Sequence, residues 1–183
     1  NITKEVAEAF EKALKTESIV PNTKLELKDR FATFVPEISE PTGLKKEMRL
    51  IDSIADALNI AMERHDNLVL MGQDIADYGG VFKATEGLLK KYGEGRVRNT
   101  PLCESAIVGA ALGLSINGHK AMMEMQFSDF VTVGFNQIVN NLANIHYRWG
   151  QNADVVVRMP TGAGVAAGPF HSQSTEGWFF HTA

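Results

Sequence analysis

Between residues 67 and 159, short apolar runs alternate with longer segments of helical period, and this alternation restricts the fold more than any other feature of the chain. Asn67-Leu68-Val69-Leu70-Met71 is a buried-type strand that ends in Gly72-Gln73-Asp74. Arg96 to Thr100 is a second extended run, stopped by Pro101, and Ala121 to Gln126 and Asp154 to Met159 are two more. Ahead of the first strand, Leu50, Ile51, Ile54, Leu58, Ala61 and Met62 form a helical stripe. Tyr78-Gly79-Gly80 makes a turn, and Glu104 to Asn117 reads as a helix rich in small residues with Gly118 as its left-handed stop. Ser128 is placed to cap a long helix with Phe135, Ile138, Val139, Leu142 and Ile145 on one face. Strands separated by helices predict an α/β fold, a parallel sheet covered by helices on both faces. Ligands of such sheets sit at the carboxyl ends of the strands. Chemistry is therefore expected just after Met71, Thr100, Met125 and Met159.

The first 47 residues have a different texture. Ile2, Val6, Phe10 and Leu14 recur every four residues, the spacing of one helical face. From Pro21 to Lys46 the periodicity fails and Pro21, Pro36, Pro41 and Gly43 punctuate a polar stretch, which reads as an extended connector. The expected organisation is a helix and linker over 1–47, then an α/β domain over 48–183.

Charge and cysteine content remove several function classes. A formal charge of −4 gives no electrostatic footprint for a phosphate backbone, so no nucleic-acid partner is expected. The single thiol, Cys103, excludes an internal disulfide framework and cannot build a zinc site alone. The longest apolar run, around Ala106 to Ile116, is too short to span a bilayer, and no leader-like segment opens the sequence. A cytoplasmic protein is expected. Walker, H-E-x-x-H and G-x-S-x-G motifs do not occur.

Glu104 heads the small-residue helix directly after an extended run. A first-turn carboxylate is favoured by the helix dipole alone. Yet Gly109 and Gly113 each cost roughly 1 kcal/mol of helix propensity relative to Ala, which points to close packing against another element or subunit. A carboxyl in such apolar company would be pushed up by desolvation toward the range useful for proton transfer. Gly162, Gly164 and Ala167 match a dinucleotide fingerprint formally, but Gly168-Pro169 would break the helix it requires and no acidic residue follows about twenty positions on. The run from Thr161 to His171 reads better as a flexible loop presenting His171. Asp74 and Asp77 have no third ligand at metal spacing and are expected in loop or capping roles, and Met122, Met123, Met125, Phe127 and Phe130, taken one by one, in the core.

A longer ordered set of motifs carries a family resemblance: Met71-Gly72-Gln73-Asp74, Gly79-Gly80-Val81-Phe82-Lys83, Asn99-Thr100-Pro101-Leu102-Cys103-Glu104, Glu124-Met125-Gln126-Phe127-Ser128-Asp129-Phe130, Asn136-Gln137-Ile138-Val139-Asn140 and His171-Ser172-Gln173-Ser174-Thr175-Glu176. From Met48 to Ala183 the chain resembles the pyrimidine-binding domain of the β subunit of 2-oxoacid dehydrogenase decarboxylating components, which are thiamine-diphosphate enzymes. Residues 1–47 resemble, more weakly, the C-terminal helix and tail of the α subunit, which implies a fused chain. The motifs are nearer those of branched-chain (2-oxoisovalerate) enzymes than of pyruvate enzymes.

The resemblance implies a function and assigns residues to it. Such an enzyme decarboxylates a 2-oxoacid and passes the acyl group to lipoamide on the acyltransferase component. The carboxylate at Glu104 would hydrogen-bond N1′ of the cofactor's aminopyrimidine ring, favouring the tautomer that removes the thiazolium C2 proton. Leu102, Gln126 and Phe130 match positions lining or stacking on that ring. His171 matches the histidine that assists proton transfer around reductive acylation. The motif that holds diphosphate and Mg²⁺ in the family is missing, so those groups are expected on an α-type domain outside this chain, with no metal ligands here. The chain is expected to be part of a longer protein, to self-associate, and to be catalytically incomplete alone. Other readings are a non-catalytic assembly fragment, a pyruvate dehydrogenase and a transketolase-like enzyme.

Overall fold

The computed structural model describes residues 1–183 except Glu37, Ser39, Thr42, Leu44 and Ala183. The chain divides into two compact units, Asn1–Phe31 and Ala32–Ala183. The first holds α1 (Ile2–Leu14) and α2 (Thr23–Arg30), and neither helix buries a residue. The α1 helix matches its apolar spacing, and the Asn1 side chain caps it by accepting from the Thr3 amide. The α2 helix lies within the stretch expected to be an extended connector. Its sequence has no apolar face to give it away, and its local support is different: Asn22 accepts from the Leu25 amide, Glu26 stands in the first turn and Lys28 and Arg30 in the last. Four residues of that expected connector lie outside the described residues.

The second unit contains α3 (Leu50–Arg64), β1 (Leu68–Gly72), α4 (Leu88–Tyr92), β2 (Val97–Asn99), α5 (Glu104–Ile116), β3 (Lys120–Glu124), α6 (Val131–Asn136), α7 (Ile145–Trp149) and β4 (Val155–Arg158). The four strands form one parallel sheet in the order β2-β1-β3-β4, as the alternation of strands and helices predicts. Leu70 stands beside Val97 on one side and Met122 on the other. Since successive strand residues face opposite ways, two cores result. Leu68, Leu70, Val97 and Met122 pack with Met62 and Leu58 of α3 and with Leu88 and Leu89 of α4. Met71, Ala121 and Met123 pack on the other face with Ile107, Val108 and Ala111 of α5, Val131 of α6, Ile138 and Leu142. Each fully buried side chain of this size contributes roughly 1.5–3 kcal/mol.

Arg96 ties the sheet to α3. Its guanidinium donates to the carbonyls of Leu68 (3.1 Å), Met62 (2.8 Å) and His65 (2.6 Å), satisfying C-terminal groups of α3 that have no partner within the helix. At the end of α5, Gly118 adopts φ +83°, the left-handed stop expected of it.

The long helix expected to open at Ser128 is not continuous. A 3-10 turn (Ser128–Phe130), α6, a π-helical turn (Gln137–Leu142) and α7 occupy its span. A side-chain amide competes with the helical ladder here: Asn144 donates to the Val139 carbonyl (2.6 Å), while the Ala143 amide reaches back five residues to Ile138. Ser128 does not act as a cap; its hydroxyl donates to the Gln173 carbonyl.

On the α3 face, the carboxyl ends of β3 and β4 carry an ion pair between Glu124 and Arg158. Burial pushes the Glu124 carboxyl above its ordinary range, and the Arg158 charge and hydrogen bond oppose the shift without cancelling it. Replacing Arg158 by Met strands this carboxylate and should cost about 3–5 kcal/mol in denaturant unfolding at pH 7. The double change Glu124→Gln, Arg158→Met should recover much of that loss. A carboxyl raised in the folded state stabilises the fold as pH falls, so the Arg158→Met deficit should shrink from pH 7 toward about pH 5. An undiminished deficit in the double variant would show that the pair is not the source.

Candidate functional site

The carboxyl ends of β1 and β3 are flush because residue 72 is a glycine. A Cβ on Gly72 would lie 2.6 Å from the carbonyl oxygen of Glu124, closer than side chains tolerate. From this edge the chain turns sharply. Asp74 adopts φ +57° and its carbonyl accepts from the Gly80 amide (2.8 Å), while Gly79 and Gly80 themselves have positive φ. A Cβ on Gly79 would meet the Glu86 backbone at 2.7 Å, so the expected turn is also a tight contact. Gln126, just past β3, donates to the Asp74 carboxylate at 3.0 Å.

Glu104 begins α5 and is only 5% exposed. Its Oε1 accepts from Nε2 of buried Gln73 at 3.3 Å. Leu102, two residues before it, is 79% exposed. The α5 helix is pressed against α6 at Gly134, where a Cβ would stand 3.0 Å from Met125, 3.2 Å from Val108 and 3.5 Å from the Glu104 carbonyl. The tight approach expected of the α5 glycines is therefore made by Gly134. Gly109 has only the Gln137 side chain near, at 3.7 Å, and Gly113 has nothing within 4 Å.

His171 lies in an aromatic cluster. Its ring stands edge-on to Phe127 (5.1 Å between centroids) and to Phe130 (5.5 Å), and Phe82 packs edge-on to Phe127 at 5.9 Å. The loop bearing it is fastened at Gln173, whose amide donates to Asp129 and whose carbonyl accepts from Ser128 and Thr161.

The structure thus gathers the residues singled out from sequence into two groups: Glu104, near exposed Leu102 and held by Gln73, and His171 with Phe130. Gln126 joins neither directly and is engaged with Asp74. No hydrogen bond joins Glu104 to His171 among the described residues. Sequence reasoning took Phe127 as core and gave no role of their own to Gln73, Phe82, Asp129 and the Glu124–Arg158 pair. The position of Gln73 immediately after a strand end was the available signal. Asp129 and Arg158 owe their place to tertiary contacts that no local pattern announces.

Among the described residues, no three His, Cys, Asp or Glu side chains gather as a metal-binding group, and no helix is long and apolar enough to cross a membrane.

Residues 46–183 match the family model for the transketolase pyrimidine-binding domain, and the chain belongs to that family. It is similar to the mitochondrial 2-oxoisovalerate dehydrogenase subunit beta of Dictyostelium discoideum, at 43% identity over 78% of this chain and 39% of the relative. The 2-oxoisovalerate dehydrogenase subunit beta of Bacillus subtilis is 44% identical over 72% of this chain and 41% of its own length. The pyruvate dehydrogenase E1 component subunit beta of the same organism is 42% identical over 72% and 41% respectively. The chain spans about two-fifths of the length of these curated relatives.

The loop should be unevenly mobile. Residues 162–170 are almost all exposed, whereas Gln173 is held at both backbone groups. Hydrogen exchange should therefore be faster across 162–170 than at the Gln173 amide or along β3. Uniform protection across 161–175 would contradict this.

Proposed function

We propose that this chain supplies the pyrimidine-binding half-site of a thiamine-diphosphate-dependent 2-oxoacid dehydrogenase of the branched-chain type. The observation that carries the reading is the buried Glu104 carboxylate at the head of α5, held by Gln73 through one oxygen. That donor set fits an aminopyrimidine: one carboxylate oxygen for a ring nitrogen, with Phe130 and the apolar Leu102 to flank the ring. When bound, the cofactor supplies the electron sink for decarboxylation of a 2-oxoacid. Glu104 holds or shares a proton at the ring nitrogen, and Gln73 fixes the carboxylate's orientation. Leu102 and Phe130 keep water from the ring, and Gln126 lines the site from the end of β3. His171 moves a proton as the acyl group passes to a lipoyl group on the acyltransferase component.

Diphosphate and Mg²⁺ are assigned to an α-type domain outside these residues, which makes that domain, and a second fused chain, the partners that complete the site. The family match beginning at residue 46 supports a boundary near Met48, with residues 1–47 as an α-subunit-like tail. A cytoplasmic setting belongs to this reading; the Dictyostelium relative is named as mitochondrial. The near-equal identity to a pyruvate dehydrogenase subunit supports pyruvate as the competing substrate, and kcat/KM for 2-oxoisovalerate against pyruvate separates the two.

Glu104→Gln in the assembled enzyme keeps size and helix but cannot exchange a proton. Turnover should fall about 10²- to 10⁴-fold, with far less change in cofactor affinity. Exchange of the C2 proton of bound cofactor, followed by NMR, should slow in parallel; a wild-type exchange rate would remove Glu104 from the mechanism.

A further inference from the structure

We infer that Asp129 is a positioning residue whose buried carboxylate, with the Ser128 hydroxyl beside it, fixes the Gln173 backbone and so holds His171 against Phe127 and Phe130. The inference rests on the role proposed for His171 above.

Asp129 is 7% exposed, and its Oδ1 accepts from the Gln173 amide at 3.2 Å. Ser128 Oγ donates to the Gln173 carbonyl at 2.7 Å, and Thr161 Oγ1 donates to the same oxygen at 2.7 Å. The Ser128 amide in turn donates to the Pro160 carbonyl at 2.8 Å, so the turn after β3 and the loop after β4 are locked together. Gln173 is therefore fixed at both backbone groups, two residues beyond His171.

The run from Phe127 to Phe130 divides its labour by spacing. Phe127 caps the 3-10 turn, its carbonyl accepting from the Phe130 amide at 3.2 Å, and both rings meet the His171 ring edge-on. The two residues between them hold Gln173. One short turn thus contacts both the imidazole and the backbone that carries it. Among the described residues, Asp129 Oδ2 is buried without a hydrogen-bond partner. A carboxylate left half unsatisfied is costly for stability alone, while a charged acceptor makes a stronger bond to an amide than a neutral one. The arrangement gives up stability for a rigid anchor beside a loop that is otherwise exposed.

The test compares Asp129→Ala, Asp129→Asn, Ser128→Ala and His171→Ala in the assembled enzyme. Hydrogen exchange over 161–175, measured without cofactor or substrate, reads the anchor directly. Asp129→Ala should lower protection of the Gln173 amide about tenfold or more, and Asp129→Asn, whose amide oxygen still accepts, should restore most of it. Asp129→Ala should slow acyl transfer to lipoamide by roughly 10- to 100-fold, with decarboxylation near wild type. Adding it to His171→Ala should cause no further loss. Unchanged protection in Asp129→Ala, equal losses in both half-reactions, or additive losses in the double variant would each overturn the inference. If Asp129→Ala does not fold, Ser128→Ala decides: it removes one of the three bonds and should loosen the loop with the same bias toward acyl transfer, and no loosening overturns the proposal. If His171→Ala itself impairs both half-reactions alike, the role given to His171 fails, while the exchange data still decide whether Asp129 holds the loop.

Discussion

The site depends on one close approach, that of Gly72 to the carbonyl of Glu124. With no Cβ at residue 72, the central strands end level, and the chains leaving them diverge from a common edge. From β1 come Gln73 and Asp74, from β3 come Gln126 and the Phe127–Phe130 turn, and the turn from β1 meets β3 again where Gly80 lies against the Glu124 carboxylate. A side chain at residue 72 would force the two strand ends apart and separate Gln73 from Glu104, whose hydrogen bond already stands at 3.3 Å. The backbone geometry of the sheet therefore sets the side-chain geometry of the site.

Much of the fold was legible because burial on both faces writes itself into sequence. Leu68 to Met71 and Ala121 to Met123 must be apolar whichever way they point, since a helix layer covers each face. Gly118 was legible for a local reason, its left-handed φ. The failures share a cause as well. The α2 helix is held by a cap and terminal charges rather than an apolar face, so a periodicity test misses it. The segment after Ser128 has a helical stripe, but Asn144 takes up a backbone carbonyl of its π turn, and Ser128 is drawn away to Gln173. Propensity and pattern describe what a segment can do alone, and these segments are governed by what they touch.

The site was legible in a similarly divided way. Glu104 stood out because a carboxylate before a small-residue helix conflicts with its apolar surroundings, and it is buried there. His171 stood out because glycines precede it, yet the contacts that give it a defined place come from Phe127, Phe130 and the anchor on Gln173. Asp129 carries no signature of its own, since a lone Asp after a strand is ordinary, and Gln73 has only its place at a strand end.

The two groups at the sheet's carboxyl end are built on different mechanical footings, and this bears on how the proposed chemistry is divided. Glu104 is attached to α5, which is wedged between the sheet and α6 with Gly134 allowing the helices to meet. A group on such a footing keeps its position regardless of what binds. His171 rides a glycine-rich segment fastened at Pro160 and at Gln173, so its position depends on a few hydrogen bonds of about 1 kcal/mol each. Proton sharing with a fixed ring needs the first kind of support. Acyl transfer requires a second carrier to enter and leave, and a histidine on a partly tethered loop can give way to that carrier without disturbing Glu104. Leu102, exposed beside the buried Glu104, is an apolar surface that the rest of the described chain leaves uncovered at the fixed group.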